Sequence, residues 1–284
     1  LEARSALPYC QNCQISLGGE LADERLREFW VQRDEMGMVH DLEPRRCIFG
    51  SIAPTEHRVL RLDLGCGPSA AAGFVGADRQ QFLGVNVVLD MEAGLPFQDS
   101  TFDLVFASHS LEHVHDLQSL MREIYRIAKD RAQVCIIAPY GLTSVNLANP
   151  YLRQLFTEET PRFWTSEPVC DIGMAEVTRC PQAPFWGLSQ SDYSQPGMDF
   201  RCLRMEFFYF PEYQDLNEQE QRRLRHTQFN VCDQIMYHLL VVKTSISAEE
   251  EERAMQTMHY YEPPYIKIRK SREEAQSAAR KLEE

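Results

Sequence analysis

The fold is decided by the stretch Leu60-Arg-Leu-Asp-Leu-Gly-Cys-Gly-Pro-Ser69. With Val59, its first half has the apolar pattern of a buried strand. Its second half contains Gly65 and Gly67, which can adopt backbone angles closed to other residues and let a ligand lie against the backbone. Asp63, just before the turn, is placed to receive a cation or an ammonium group. The stretch therefore predicts a strand that runs into a glycine turn at a binding site.

The overall composition is that of a soluble globular protein. The chain has 284 residues, of which 44% are hydrophobic, enough for one large domain or one domain with appendages. No run approaches the ~20 apolar residues that span a bilayer, and the start shows no basic-then-apolar leader. These features predict a cytoplasmic protein without a membrane span. Because the chain begins at Leu1 rather than Met, a piece of a longer polypeptide stays open as an alternative.

The charge balance argues against nucleic acid as a partner. The formal net charge is −13, from 42 acidic and 29 basic residues. A nucleic-acid enzyme usually carries a basic stripe, and none dominates this sequence.

The cysteines raise the question of a metal site. Cys10-x-x-Cys13 has the spacing of a zinc knuckle, and His40 and Cys47 would complete four ligands. No second Cys-x-x-Cys or His-x₃-His follows, so the pattern favours scattered reduced thiols over zinc. We predict no metal.

Apolar segments alternating with helices and connections predict an α/β fold. The candidate strands are residues 59–64, 73–77, 85–89, 102–107 and 134–138, and residues 117–128 form a strong helix. Strands of this kind indicate a mostly parallel sheet with helices on both faces. Residues 200–210 and 234–243 are expected to finish the sheet as an antiparallel C-terminal pair.

The chain divides into a core with additions on either side. Residues 1–57 are predicted to be an N-terminal segment with an amphipathic helix at 20–36, residues 58–140 the core, and 200–247 the last strands. Residues 141–199, rich in aromatics and prolines, fit either an acceptor cap or a loop packed on the sheet edge. Residues 248–284 are predicted to form a helical tail with helices at 248–259 and 272–282, the second polar and exposed as an appendage or partner-binding segment.

Polar residues follow the predicted strands where each one ends. Asp63, Asp78, Asp90 and Ser108 all lie at such ends. In open parallel sheets, ligands bind beyond the carboxyl ends of the strands. The sequence therefore predicts a single site at that edge.

Taken together, residues 58–165 resemble a class I S-adenosylmethionine-dependent methyltransferase. The resemblance is carried, in order, by Asp63-Leu-Gly-Cys-Gly-Pro68, Gly76-Ala-Asp78, Asp90-Met-Glu-Ala-Gly-Leu-Pro-Phe97, Phe102-Asp-Leu-Val105, Ser108-His-Ser-Leu-Glu-His-Val114 and Ile136-Ile-Ala-Pro139. The Leu-Pro-Phe and Leu-Glu-His pieces are similar to those of a small-molecule subgroup linked to glycan or natural-product assembly. The resemblance implies a Rossmann-like fold and S-adenosylmethionine as the cofactor. The turn lacks the third glycine of Gly-x-Gly-x-x-Gly, which argues against a nicotinamide cofactor.

The resemblance also implies roles for individual residues. Gly65 and Gly67 would cradle the methionine portion, with Asp63 near its amino group, and Asp78 would accept both ribose hydroxyls. Asp90 would take the adenine amino group. The full cofactor-binding set implied is Asp63, Gly65, Cys66, Gly67, Asp78, Arg79, Asp90, Met91 and Ser108.

A hydroxyl acceptor also needs a base, for which histidine is the usual residue. His113 and His109 follow the fourth strand and are the catalytic candidates, although the alternative for His113 is to orient a loop. The run Asn149-Pro-Tyr-Leu-Arg153 lacks the histidine often found there in resembling sequences. A metal bound by Glu112 or Asp116 is the less favoured mechanism.

The leading hypothesis is therefore methylation of a small molecule or sugar, at oxygen. The alternative is a non-catalytic methyltransferase-like domain that binds or scaffolds within a larger assembly, with a partner domain or a second copy. Contracted crossovers favour this alternative: Gly67 and Asp78 are eleven positions apart, where a full helix would normally intervene.

Overall fold

The computed structural model describes residues 9–10, 15–16, 59–165 and 197–283. The helix predicted at 20–36 and the second half of the 141–199 insertion lie outside the described residues. So do Cys13, His40 and Cys47, and no side chain is described for Cys10, so the zinc alternative is untested.

Nine strands of the described residues form one sheet. In chain order they are β1 Tyr9–Cys10, β2 Ile15–Ser16, β3 Arg61–Leu64, β4 Val75–Asp78, β5 Val87–Val88, β6 Phe102–Ser108, β7 Ala128–Pro139, β8 Phe200–Tyr209 and β9 Cys232–Val241. The spatial order is β1-β2-β5-β4-β3-β6-β7-β9-β8. Strands β5, β4, β3, β6 and β7 are parallel, and β9 and β8 continue the sheet as an antiparallel pair. The predicted fold class, a mostly parallel sheet with an antiparallel C-terminal pair, is confirmed.

The strand limits differ from the predicted ones mainly at β7. This strand begins at Ala128, six positions before the predicted start, because helix and strand join with no loop between them. The charged residues at 129–131 interrupt the apolar pattern, so the sequence did not predict the first half of this strand. They are accommodated because Lys129 bonds Asp103 at 2.8 Å and Asp130 accepts the backbone N–H of Lys243 at 2.8 Å.

Five α-helices surround the sheet in the described residues. They are α1 Leu117–Ile127, α2 Ser144–Ala148, α3 Glu218–Thr227, α4 Ala248–Thr257 and α5 Pro264–Glu283. The predicted helix at 117–128 is confirmed as α1, which starts where the Asp116 side chain accepts the backbone N–H of Ser119. None of the described helices is both long and apolar enough to cross a membrane.

The first face of the sheet carries α1 and the described part of the insertion. Helix α1 buries Leu120, Met121 and Ile124 against this face. Phe156 and Trp164, from residues 141–165, are also buried there, with ring centroids 6.4 and 6.5 Å from that of Tyr237 on β9. This part of the insertion therefore packs on the sheet.

The second face is covered in an unexpected way. The connections 65–74 and 79–86 contain no helix, although right-handed crossovers between β3, β4 and β5 would place helices on the face opposite α1. Residues 258–283, called here the C-terminal segment, lie on that face instead. The Tyr261 ring centroid lies 4.9 Å from that of Phe74 and 5.1 Å from that of Phe106, and Ile266 is fully buried in the same cluster.

The helix predicted at 272–282 is therefore the later part of a longer helix, whose first turns are docked on the sheet. Helix α5 begins eight positions before the predicted start and docks through Ile266. Ion pairs extend the contact, since Arg269 bonds Asp233 at 2.8 Å and Lys270 bonds Glu206 at 2.5 Å. The polar pattern of residues 272–282 gave no sign of this docking because the apolar contacts lie upstream of it.

Replacing Ile266 with alanine is expected to destabilise the protein by about 2–5 kcal/mol, the usual cost of removing a buried Ile side chain. Ile268, two positions along the same helix, is 53% exposed and provides a matched control. Urea unfolding of both variants measures the difference. Equally small losses for Ile266→Ala and Ile268→Ala would show that the C-terminal segment does not depend on this contact.

Candidate active site

The glycine turn after β3 is tied to β4 by its backbone. The N–H groups of Gly65 and Cys66 both donate to the carbonyl oxygen of Ala77, at 2.7 and 3.2 Å. Gly65 has φ +74°, and a Cβ there would lie 2.3 Å from the Cβ of Ser110, so only glycine fits. Gly67 has φ +57°, but a Cβ on it would meet no atom of the described residues within 4 Å. Gly65 is therefore required by packing, whereas the described residues leave room for a ligand beside Gly67.

Asp78 ends β4, and each of its carboxylate oxygens accepts a backbone N–H. Its Oδ2 accepts the N–H of Gly67 and its Oδ1 accepts the N–H of Gln80, each at 2.9 Å. Since a carboxylate oxygen has two lone pairs, each oxygen can accept one more hydrogen bond. The next residue, Arg79, is exposed. Asp78 thus remains suited to a pair of neighbouring hydroxyl groups.

Asp63 lies beneath the turn, only 4% exposed. Its Oδ2 accepts the N–H of Ala71 at 2.8 Å, and this hydrogen bond stabilises the loop that follows the glycine turn. Burial raises the pKa of Asp63 to about 6; the Ala71 hydrogen bond opposes this shift and the nearby Asp78 charge adds to it. A cation bound beside Asp63 would favour its charged form.

Asp90 and Met91 follow β5. Asp90 is exposed, and its Oδ1 accepts the N–H of Glu92 at 3.0 Å, which caps a short 3₁₀ helix at Met91–Ala93. Met91 packs against the first-face core, and its Cε would lie 3.4 Å from a Cβ placed on Gly65. Met91 therefore lies beside the glycine turn.

Ser108 ends β6, next to the glycine turn in the sheet. Its Oγ lies 2.7 Å from the phenolic oxygen of Tyr265, a residue of α5. Ser110 lies on the other side, where its Oγ donates to the carbonyl oxygen of Leu64 at 3.0 Å. Sequence reasoning missed both Tyr265 and Ser110, because Tyr265 is 157 positions away from Ser108 and no local pattern connects the two.

His109 stands at the carboxyl end of β6 with φ +51°. Its ring is 44% exposed, with Nε2 lying 3.1 Å from Gln234 Oε1 and Nδ1 lying 3.7 Å from Glu112 Oε1. The nearby Glu112 carboxylate is the main cause that raises the pKa of His109; burial opposes it, and Gln234 and Asp233 add to it.

Glu112 is a buried carboxylate between two histidines. Its Oε1 also lies 3.8 Å from His113 Nε2, and its Oε2 has no hydrogen-bond partner among the described residues. His113 Nδ1 donates to the backbone carbonyl of Tyr151 at 3.0 Å. This contact favours the loop-orienting interpretation of His113 over the catalytic one.

Replacing Glu112 with glutamine is expected to lower the pKa of His109, because it removes the negative charge next to Nδ1. NMR titration of the His109 ring measures this pKa without any ligand. Glu92→Gln, which makes the same change beside the exposed His115, should leave His109 unaffected. An unchanged His109 titration in Glu112→Gln would contradict the assigned contact.

Among residues 59–165 and 197–283, no three His, Cys, Asp or Glu side chains are grouped so that they could hold a metal ion.

Residues 57–136 match the family model described as a methyltransferase domain. The match runs from just before β3 into β7 and includes the glycine turn and the ends of β4, β5 and β6. Residues 57–136 therefore form a methyltransferase domain of Rossmann-like fold, and the cofactor of this domain is S-adenosylmethionine.

Several solved structures are similar to this chain. A SAM dependent methyltransferase from Archaeoglobus fulgidus is 18% identical, with 64% of this chain and 86% of that chain covered and a TM-score of 0.39. Phosphoethanolamine N-methyltransferase 2 of Haemonchus contortus, in complex with S-adenosyl-L-methionine, is 14% identical, with 67% and 50% covered and a TM-score of 0.34. The cyclase SpnF is 13% identical, with 65% and 74% covered and a TM-score of 0.37. Likeness at this level says nothing about the acceptor.

Proposed function

We propose that this protein transfers a methyl group from S-adenosylmethionine to a hydroxyl group of a small molecule or sugar. The observation that carries the proposal is the position of His109. A half-exposed imidazole stands at the carboxyl end of β6, one residue beyond Ser108 and backed by the buried carboxylate of Glu112. A hydroxyl acceptor requires a proton acceptor of this kind.

The residues of the chain fit the cofactor. Gly67 leaves open space along the backbone, and Asp78 keeps one acceptor position on each oxygen for the ribose hydroxyls. Asp90 and Met91 are assigned to the adenine ring, and Asp63 to the amino group. When bound, S-adenosylmethionine supplies an electrophilic methyl group on a positively charged sulfur.

His109 is assigned the role of general base. In the tautomer that carries its proton on Nδ1, facing the Glu112 carboxylate, the Nε2 lone pair can accept the proton of a hydroxyl group in place of the contact with Gln234. Glu112 Oε1, 3.7 Å from Nδ1, would stabilise the resulting imidazolium. Because only the neutral ring accepts a proton, methyl transfer should increase as the pH rises through the raised pKa of His109.

The rim of the site supports a small, partly apolar acceptor. Tyr151, whose carbonyl binds His113, is 77% exposed and presents its ring on the surface. Leu155 of the same connection is also exposed. An exposed aromatic ring beside a histidine is a suitable surface for the apolar face of a sugar or an aromatic alcohol.

The non-catalytic alternative has less support once the C-terminal segment is taken into account. It depended in part on the contracted crossovers, which leave the second face of the sheet without helices. The C-terminal segment covers that face, so the contraction does not leave an incomplete remnant of the fold.

Two measurements on the same protein test the proposed function. Calorimetry should show saturable binding of S-adenosylhomocysteine, and transfer of a radiolabelled methyl group should occur to members of a panel of sugars and phenols. His109→Ala is expected to bind the product normally and to lose methyl transfer by about 100-fold or more, as for loss of a general base. Transfer to amines alone, or equal rates for His109→Ala and the parent, would overturn the proposal.

A further inference from the structure

A hydrogen bond joins the side chain of Tyr265, in the C-terminal segment, to Ser108 at the end of β6. Among the described residues it is the one hydrogen bond between a side chain of this segment and that strand end. The two hydroxyl oxygens are 2.7 Å apart, and Tyr265 remains 41% exposed. The pair thus lies at the surface of the site rather than within the core.

The pair lies on the same face of the sheet as Asp63. Phe106 points to the second face, so Ser108, two positions further along β6, points the same way. Asp63 is the register partner of Phe106 on the neighbouring strand. Asp63, Ser108 and Tyr265 are therefore grouped at the carboxyl ends of β3 and β6, next to the glycine turn.

Tyr261 connects this group to the rest of the C-terminal segment. Its ring packs on Phe106, and burial together with the nearby Asp63 raises its pKa to about 12. Its backbone is fixed by the sheet: Gln133 Oε1 accepts its N–H at 2.9 Å, and its carbonyl oxygen lies 2.9 Å from His238 Nε2. Tyr261 thus anchors the chain on the second face of the sheet three positions before α5 begins.

We propose that the C-terminal segment is part of the cofactor site, and that Tyr265 positions Ser108 so that the Ser108 hydroxyl binds the amino-acid arm of S-adenosylmethionine. This inference rests on the proposed function. Tyr265 is a positioning residue, supplied by the segment that covers the face left open by the contracted crossovers.

The chemistry of the pair suits this role. Two hydroxyl groups joined by one hydrogen bond use one of their two protons, so the other proton can be donated to a ligand. Burial raises the pKa of Tyr265 to about 12, which keeps its proton in place at physiological pH. Beside them, Asp63 can attract the ammonium group of the same arm.

The test compares two ligands that differ only in the amino-acid arm. S-adenosylhomocysteine carries the arm, whereas methylthioadenosine has the same nucleoside without it. Calorimetry gives the dissociation constants of both ligands, and the weaker ligand is measured in competition with S-adenosylhomocysteine. The proteins compared are the parent, Tyr265→Phe, Ser108→Ala and the double variant. Tyr260→Phe is the matched control, because it removes a hydroxyl of the same segment that donates to Met255 instead.

We expect Tyr265→Phe to weaken S-adenosylhomocysteine about tenfold, the effect of one hydrogen bond to a charged group, and to leave methylthioadenosine unchanged. The double variant should be no weaker than Ser108→Ala alone, and Tyr260→Phe should match the parent. If the parent and Tyr265→Phe bind S-adenosylhomocysteine with equal affinity, this inference is overturned while the proposed function stands. Equal losses for both ligands would also overturn it, because they would indicate a general effect on the fold. A parent that binds neither ligand would overturn the proposed function as well.

Discussion

Replacing Asp78 with alanine is expected to weaken the binding of S-adenosylhomocysteine by about 100-fold or more. Two hydrogen bonds to a carboxylate, each of about 1.5–3 kcal/mol, would be lost if Asp78 binds both ribose hydroxyls. The turn would also lose its anchor, because Asp78 accepts the N–H of Gly67 at 2.9 Å. Isothermal titration calorimetry measures the affinity directly.

Two further variants make this result specific. Asp78→Asn keeps one oxygen acceptor and should give an intermediate affinity. Asp99→Ala makes the same change at an exposed carboxylate that pairs with Arg126, and it should bind like the parent. If Asp78→Ala binds as tightly as Asp99→Ala, Asp78 does not bind the ribose.

Replacing Arg225 with methionine is expected to reduce the free energy of unfolding by about 3–5 kcal/mol, the usual cost of breaking a buried ion pair on one side. Arg225 is 1% exposed, its Nε lies 3.3 Å from Glu158 Oε1, and its guanidinium carbon lies 3.5 Å from the centroid of the Phe207 ring. A nearby hydroxyl, that of Tyr140, donates to Glu158 Oε2 at 2.7 Å. Methionine would keep the packing volume but leave the buried carboxylate without its guanidinium partner.

Arg223, two positions earlier on the same helix, provides the control. It pairs with Glu220 on the surface, where solvent screens the interaction, so Arg223→Met should unfold like the parent. Urea denaturation of the three proteins gives the comparison. A loss for Arg225→Met no larger than that for Arg223→Met would mean that the buried cluster does not stabilise the fold.

The glycine turn and the strand ends could be predicted from the sequence because each is a local pattern. A strand at 59–64 that enters Gly65 and Gly67, and a carboxylate at the end of the next strand, need only neighbouring residues to be recognised. The observed contact between Asp78 and Gly67 joins two such patterns that are close in the chain. The roles assigned to Asp63, Asp78 and Asp90 in binding the cofactor stay predictions until ligands are titrated.

Helix α3 and its buried charge could not be predicted in the same way. Its sequence, Glu218–Thr227, is almost entirely polar, and Leu224 is its one buried apolar residue. Arg225 is buried where Glu158, 67 positions away, and the Phe207 ring meet it in the fold. A charge that is satisfied by a distant partner leaves no periodic signal in the sequence.

The sequence by itself determined the parallel core, its antiparallel end and the edge at which the cofactor is assigned. Hydrophobic periodicity and glycine turns fix these features through short-range rules. Only the tertiary structure decided what covers the second face of the sheet and which residues meet Ser108 and His109. Tyr265 and Gln234 reach those residues through packing. The burial of Ile266, which brings α5 to the site, depends on a face of the sheet that the two contracted crossovers do not cover. Such contacts are set by which surfaces remain exposed after the core has formed, and no local stretch of sequence records that.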